Sequence, residues 1–135
     1  MITYTQARDA IVTHAHTALQ TNLPTLKVYW ENTTAVDIAT VGDRFLQAEV
    51  DFEDATLASP TDLFDHVTGT LGFRLFLKEG AGTRSGLQIW DALNAAVRHT
   101  SVSGVRLGSP YPGRKEQRDG WLSMELLVPF EYWTV

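Results

Sequence analysis

Three stretches of this chain alternate apolar and polar residues with a period of two, and each keeps one face almost wholly apolar. In RFLQAEVDF, Leu46, Ala48, Val50 and Phe52 share one side, while Gln47, Glu49 and Asp51 share the other with Phe45. In VTGTLGFRLFLKE, Leu71, Phe73, Leu75 and Leu77 point one way, and Arg74 and Lys78 the other. In WLSMELLVPFEYW, Leu122, Met124, Leu126 and Val128 oppose Trp121 and Trp133. Successive side chains of a strand project to opposite faces, so these runs predict β-strands covered on one side. A sheet of that kind needs an apolar cover.

Two segments of helical period supply it. Ala7, Ala10, Ile11, Ala15, Ala18 and Leu19 recur at helical spacing after Thr3 and Gln6, which have the S/T-x-x-Q form of a capping box. They predict an amphipathic helix over 4–21, ended by Leu23 and Pro24. Ser85 and Gln88 have the same capping form. The stripe Leu87, Trp90, Leu93 and Val97 then predicts a second helix over 85–99, closed by Arg98 and His99, where the helix dipole favours positive charge.

Shorter strands are expected in LKVYWE and GVRLG. EDATLASPTDLFDH is expected as a polar connector and SPYPGRKEQRDG as an exposed loop, and Pro129 marks an edge or bulge in the last strand. The order helix, three strands, helix, two strands predicts one α+β domain over residues 1–135. Its sheet would be mostly antiparallel, with four to five strands and two helices packed on one face. Antiparallel pairing of the second and third strands would set Glu49 and Asp51 across from Arg74 or Lys78, worth a few tenths to about 1 kcal/mol. The face away from the helices then carries Glu49, Asp51, Arg74, Phe76, Trp121 and Trp133, too aromatic for a solvated surface.

Composition narrows the chemistry. With 135 residues, 44% hydrophobic and 20% charged, the chain has the balance of an ordinary globular domain. Sixteen acidic against eleven basic residues give a net charge of -5, the wrong sign for a broad nucleic-acid face. There is no cysteine, which excludes disulfides, thiolate zinc sites and a cysteine nucleophile. MITYTQARDAIVTHAHTALQ has no apolar run of the kind a secretory signal or a membrane span needs, so synthesis in a cytoplasm is expected.

KEGAGTRSG lies between a strand and a helix, the layout that cradles phosphate in nucleotide-binding proteins. It lacks the lysine and hydroxyl of a Walker loop, and its third glycine falls one residue late for G-x-G-x-x-G. The glycines are expected only to turn the chain. His14 and His16, two apart on a helix, diverge and cannot form an i, i+4 zinc pair, so they are expected to be exposed. No G-x-S-x-G elbow is present, and Asp62 and Asp65 fit loop solubility or helix capping better than paired catalytic acids. No catalytic, cofactor-binding or metal-binding residue is therefore expected, and the chain is not expected to be an enzyme. In GRKEQRDG, Glu116 and Asp119 dilute Arg114, Lys115 and Arg118, as in a solvated loop or a salt-bridging protein contact.

The pattern resembles the tail terminator, or tail completion, proteins of long-tailed bacteriophages and prophages, minor tail proteins that include the terminator of phage lambda. The likeness rests on the amino-terminal helix, Val28, Trp30 and Asn32 at a strand end, Phe45, Leu46 and Val50, and Gly69, Leu71 and Leu75. The glycine turn into WDALNAAV and the closing DGWL and VPFEY segments complete it. The resemblance implies a virion tail protein that assembles as a hexameric ring on the finished tail tube, stops its growth and offers a surface to the head. Its partners would be its own copies, the major tail tube protein and a head or neck completion protein, with no membrane and no cofactor.

DNA would pass the lumen without tight binding, since six copies at -5 bring about thirty surplus negative charges. Within that resemblance Glu49, Asp51, Arg74, Trp121 and Trp133 are expected at the subunit contact. Asp62, Asp65, Arg114, Lys115 and Arg118 are expected on loops facing tube or head. A neck, head-closure or other minor tail subunit is the alternative of the same class, and a small enzyme binding a phosphorylated ligand is the alternative of another.

Overall fold

The computed structural model describes residues 2–31, 36, 40–59, 61, 63–80 and 82–134. Helix α1 spans Tyr4–Asn22. Its predicted capping box is formed: the Gln6 N–H donates to Thr3 Oγ1 at 3.2 Å and the Thr3 N–H to Gln6 Oε1 at 3.0 Å. After it come β1 (Val28–Trp30), β2 (Arg44–Ser59), β3 (Phe64–Lys78), α2 (Thr83–Val97), β4 (Ser101–Val102), β5 (Val105–Leu107), β6 (Tyr111–Arg118) and β7 (Trp121–Thr134).

The architecture is α+β, but the sheet is larger than expected and mixed. Seven strands are described, in the order β1-β2-β3-β7-β5-β4, with β6 also on β7. β1 runs parallel to β2, with Val28 beside Leu46 and Trp30 beside Ala48, and the other pairs are antiparallel. Since β3 takes one edge of β7 along its whole length, β6 and β5 share the opposite edge, beside residues 121–127 and 130–131 respectively. Pro129 falls in the gap between those two partners. Its carbonyl accepts from the Gly108 N–H at 2.8 Å on that same edge, so its missing N–H costs no ladder bond there.

One face of the sheet is the core. Leu46, Leu71, Phe73, Leu75, Val128 and Phe130 are buried there beneath Ala7, Ile11, Ala15 and Leu19 of α1 and Ile89, Leu93 and Val97 of α2. The stripe on α2 is therefore offset from the predicted one. Leu87 is 47% exposed and Trp90 only partly buried, while Gly86 and Ile89 face inward. A side chain on Gly86 would come within 2.8 Å of Leu77, so this glycine lets the helix approach the sheet closely. The second capping box is absent: α2 begins at Thr83 after Gly82, which makes no side-chain cap, and the Ser85 hydroxyl is buried without a hydrogen-bond partner among the described residues.

Two expected loops are strands instead. Most of the polar connector extends β2 and β3 into a long hairpin, with Thr56 opposite His66 and Ser59 opposite Phe64. The exposed loop is β6, every residue of which is exposed, as expected, although it is hydrogen-bonded to β7. In both places the strand has solvent on both faces, so no apolar alternation marks it.

Candidate functional site

Among the described residues no helix or strand covers the face of the sheet away from the helices, although Val36, between β1 and β2, lines a cleft on it. This face is built by the second set of each alternation: Phe45, Gln47, Glu49 and Asp51 on β2, Thr70, Gly72, Arg74 and Phe76 on β3, and Trp121, Glu125, Leu127 and Trp133 on β7. The register differs from the one expected. Glu49 lies opposite Gly72 and Asp51 opposite Thr70, while Arg74 faces Gln47 across the strands. Arg74 pairs on its other side with β7, its Nη2 lying 3.4 Å from Glu125 Oε1.

Three regions divide this face. At one end an aromatic group closes on itself: Phe45, only 3% exposed, stacks on Phe76 at 4.6 Å and takes the edge of Trp121 at 5.3 Å. At the other end His66 Nε2 and Glu131 Oε2 are 2.8 Å apart, Arg106 Nη1 lies 3.6 Å from Glu131 Oε1, and the Trp133 ring lies 5.0 Å from that of His66. Trp121 and Trp133 stand twelve positions apart on β7, roughly 40 Å along an extended strand. The structure does not bring them together, and each is partly covered by a neighbour within the chain.

Between the two ends lies a cleft of about 260 Å³, walled by Tyr29, Trp30, Glu31, Glu49, Asp51, Gly72, Arg74, Glu125 and Leu127. Glu31 is held in place: its Oε1 lies 3.4 Å from Arg8 Nε, and its Oε2 accepts the Val50 N–H at 3.0 Å. Among the described residues Glu49 and Asp51 make no ion pair. Burial raises the Glu49 carboxyl above the usual range, and Asp51 and Glu31 push it further, while Arg74 opposes them. Among the described residues the cleft therefore holds four carboxylates around one guanidinium, two of them unpaired, beside Tyr29, while the Trp30 side chain turns to the other face and its indole donates to His16 of α1.

Of the other predicted positions, Asp62 lies outside the described residues. Asp65 is not on a loop: it is half-buried in β3, beside Leu57 and Thr134. Arg114, Lys115 and Arg118 project from β6 into solvent, with Arg114 Nη1 3.1 Å from Glu116 Oε1. The histidines of α1 are not exposed as expected. His16 Nδ1 accepts from the Trp30 indole at 3.4 Å, and His14 Nε2 lies 3.3 Å from Thr100 Oγ1. Among the described residues no group of three or more histidines and carboxylates is placed to hold a metal ion, and no helix is long and apolar enough to cross a membrane.

Sequence reasoning missed Glu31, Glu125 and Leu127. The last two were legible, because the alternation of β7 puts them on the same side as Trp121 and Trp133. Glu31 was not, because nothing in a three-residue strand signals that it will pair parallel to β2.

No protein-family model and no curated protein matches the chain. A solved structure 18% identical in sequence superposes with a TM-score of 0.70 over 98% of this chain and 96% of its own. At that identity the likeness concerns the fold.

Proposed function

We propose that the protein is a structural subunit that assembles through its uncovered sheet face, as a ring that caps a phage tail tube, ends its growth and presents a docking surface to the head. The observation that supports this most is the division of the sheet. Both helices lie on one face, and the other displays aromatic, acidic and basic side chains over which no described helix or strand is laid. A closed ring uses heterologous contacts, one patch meeting a different patch on the next subunit, and a mixed face of this kind suits such a contact.

Projecting parts fit the axial roles. The β2–β3 hairpin carries Leu57, 54% exposed, and Leu63, 70% exposed, at its far end, and Leu63 has a φ of 53°. Exposed leucines on a projecting turn, one in a backbone region a branched side chain disfavours, are what a docking tip presents to an apolar recess. The hairpin is accordingly assigned to the tube or head, and the acidic surplus to a lumen that lets DNA slide.

The test is the mass of the purified protein by light scattering, alone and with isolated tail tubes, together with imaging of virions. A ring at the tube end is expected. A protein that stays monomeric in both conditions, or is found away from the tube end, refutes the assignment, and a position at the head vertex would instead make it a neck or head-closure subunit. Stabilisation by nucleotides in a thermal-shift screen would favour a phosphate-binding enzyme.

A further inference from the structure

β6 is the least enclosed strand of the fold. All eight of its residues are exposed, one edge is bound to β7, and no described strand lies on the other. It carries Arg114, Lys115 and Arg118 against Glu116 alone. Only Arg114 is paired, at the surface with Glu116, and among the described residues Lys115 and Arg118 make no ion pair.

The cleft on the uncovered face has the opposite need. It presents Glu31, Glu49, Asp51 and Glu125 around Arg74, which is already engaged by Glu125, so Glu49 and Asp51 have no cation of their own. Within the chain β6 does not pair with these carboxylates: Lys115 is held beside Met124 and Arg118 beside Trp121, and Arg114, in the irregularity between Pro112 and Lys115, pairs with Glu116. Glu49 and Asp51 are both exposed, so a second copy of the chain can reach them.

Resting on the proposal of a self-assembling ring, we infer that the acidic cleft of one copy receives the basic β6 ribbon of the next. The occupant is a second copy of this chain, and charge complementarity selects it: a cleft with two unpaired carboxylates, Glu49 and Asp51, meets a strand with two surplus positive charges. The two surfaces are distinct patches on one protomer, so the contact is heterologous and repeats from copy to copy, which is the geometry a ring needs. Like charges elsewhere on the acidic surface work against other registers of approach.

Charge reversal tests this directly, with assembly read by light scattering in solution and by co-sedimentation on tail tubes. Glu49→Lys with Asp51→Lys on one chain, and Arg114→Glu, Lys115→Glu and Arg118→Glu on another, should each weaken assembly at least tenfold while leaving the thermal melt of the monomer unchanged. An equimolar mixture of the two chains should recover it, because each reversed patch finds its complement on the other chain, and so should one chain carrying both sets.

Assembly of either reversed chain at the parent level overturns the contact and leaves the ring in place. Failure of the mixture to recover overturns it too. A reversed cleft that leaves the ring intact but abolishes tube attachment assigns the cleft to the tube protein instead. A parent chain that remains monomeric with and without tubes refutes the ring itself.

Discussion

Tyr132 is the largest wholly buried side chain of the core, and its hydroxyl has no hydrogen-bond partner among the described residues. Burial, with a smaller contribution from Tyr4, pushes its phenol up to about 12. An acid whose folded pKa lies above its unfolded value of 10 contributes nothing below pH 10, and stability is lost as pH rises from about 10 to 12, where only the unfolded chain ionises. Tyr132→Phe removes an unsatisfied polar group at almost constant volume. It should leave stability at pH 7 unchanged or raise it by up to about 1 kcal/mol, and shrink the alkaline loss, both measurable by urea unfolding across pH. A destabilisation at pH 7 would mean that the hydroxyl does have a partner.

Glu49 follows the same sign at the acid end. Its pKa is raised by burial and by its acidic neighbours, so the penalty sets in as pH rises above the unfolded value near 4.5 and is complete once the folded group has ionised. Glu49→Gln should therefore stabilise the monomer slightly at pH 7, on the order of 0.5 kcal/mol at this exposed position, and not at pH 3. The outward orientation of Glu49 was legible from alternation alone. Its solitude was not, because the register that places it opposite Gly72 depends on the whole hairpin.

At the scale of elements, what the sequence disclosed depended on one-sided burial. α1, the inner halves of β2 and β3, and β7 lie between core and surface, so their periodicity is strong and their placement was legible. β6 and the outer half of the β2–β3 hairpin have solvent on both sides, and charged residues such as Glu53, Asp54 and Lys115 occupy positions that alternation would otherwise mark. Their pairing comes from adjacency in the chain and from turns, such as Asp119–Gly120, both at positive φ, which leads β6 into β7.

The hairpin is also where a glycine decides the packing. β2 has an irregularity between Phe52 and Asp54, and opposite it a Cβ on Gly69 would lie 2.2 Å from the Asp51 carbonyl and 2.4 Å from the Phe130 ring. Gly69→Ala should cost about 3 kcal/mol or prevent folding. Gly72→Ala, whose Cβ would meet Leu127 at 3.6 Å and Glu49 at 3.7 Å, should stay within about 1 kcal/mol of the parent. Equal denaturation midpoints for the two variants would show that β3 can shift to relieve the clash.

For the molecule as a whole, both helices, the first three strands and the one-sided helical cover were legible, whereas β4 and β6 after the second helix, and the parallel edge, were not. Both differences enlarge the uncovered face, and a larger unpartnered face strengthens the case for assembly. The hairpin tip lets that case be separated from stability. Leu63 is 70% exposed with a φ of 53°, so it contributes little to the core while holding a conformation that glycine adopts without strain. If the tip were merely a connector, Leu63→Gly would be a pure gain, on the order of 1 kcal/mol in unfolding free energy. If it docks on the tail tube, the same substitution should raise the melting temperature and lower affinity for tubes about tenfold, the loss of one apolar anchor worth about 1.4 kcal/mol. Opposed changes in the two measurements would place the strain in the service of binding, and unchanged tube affinity in a more stable variant would remove the hairpin from the docking surface.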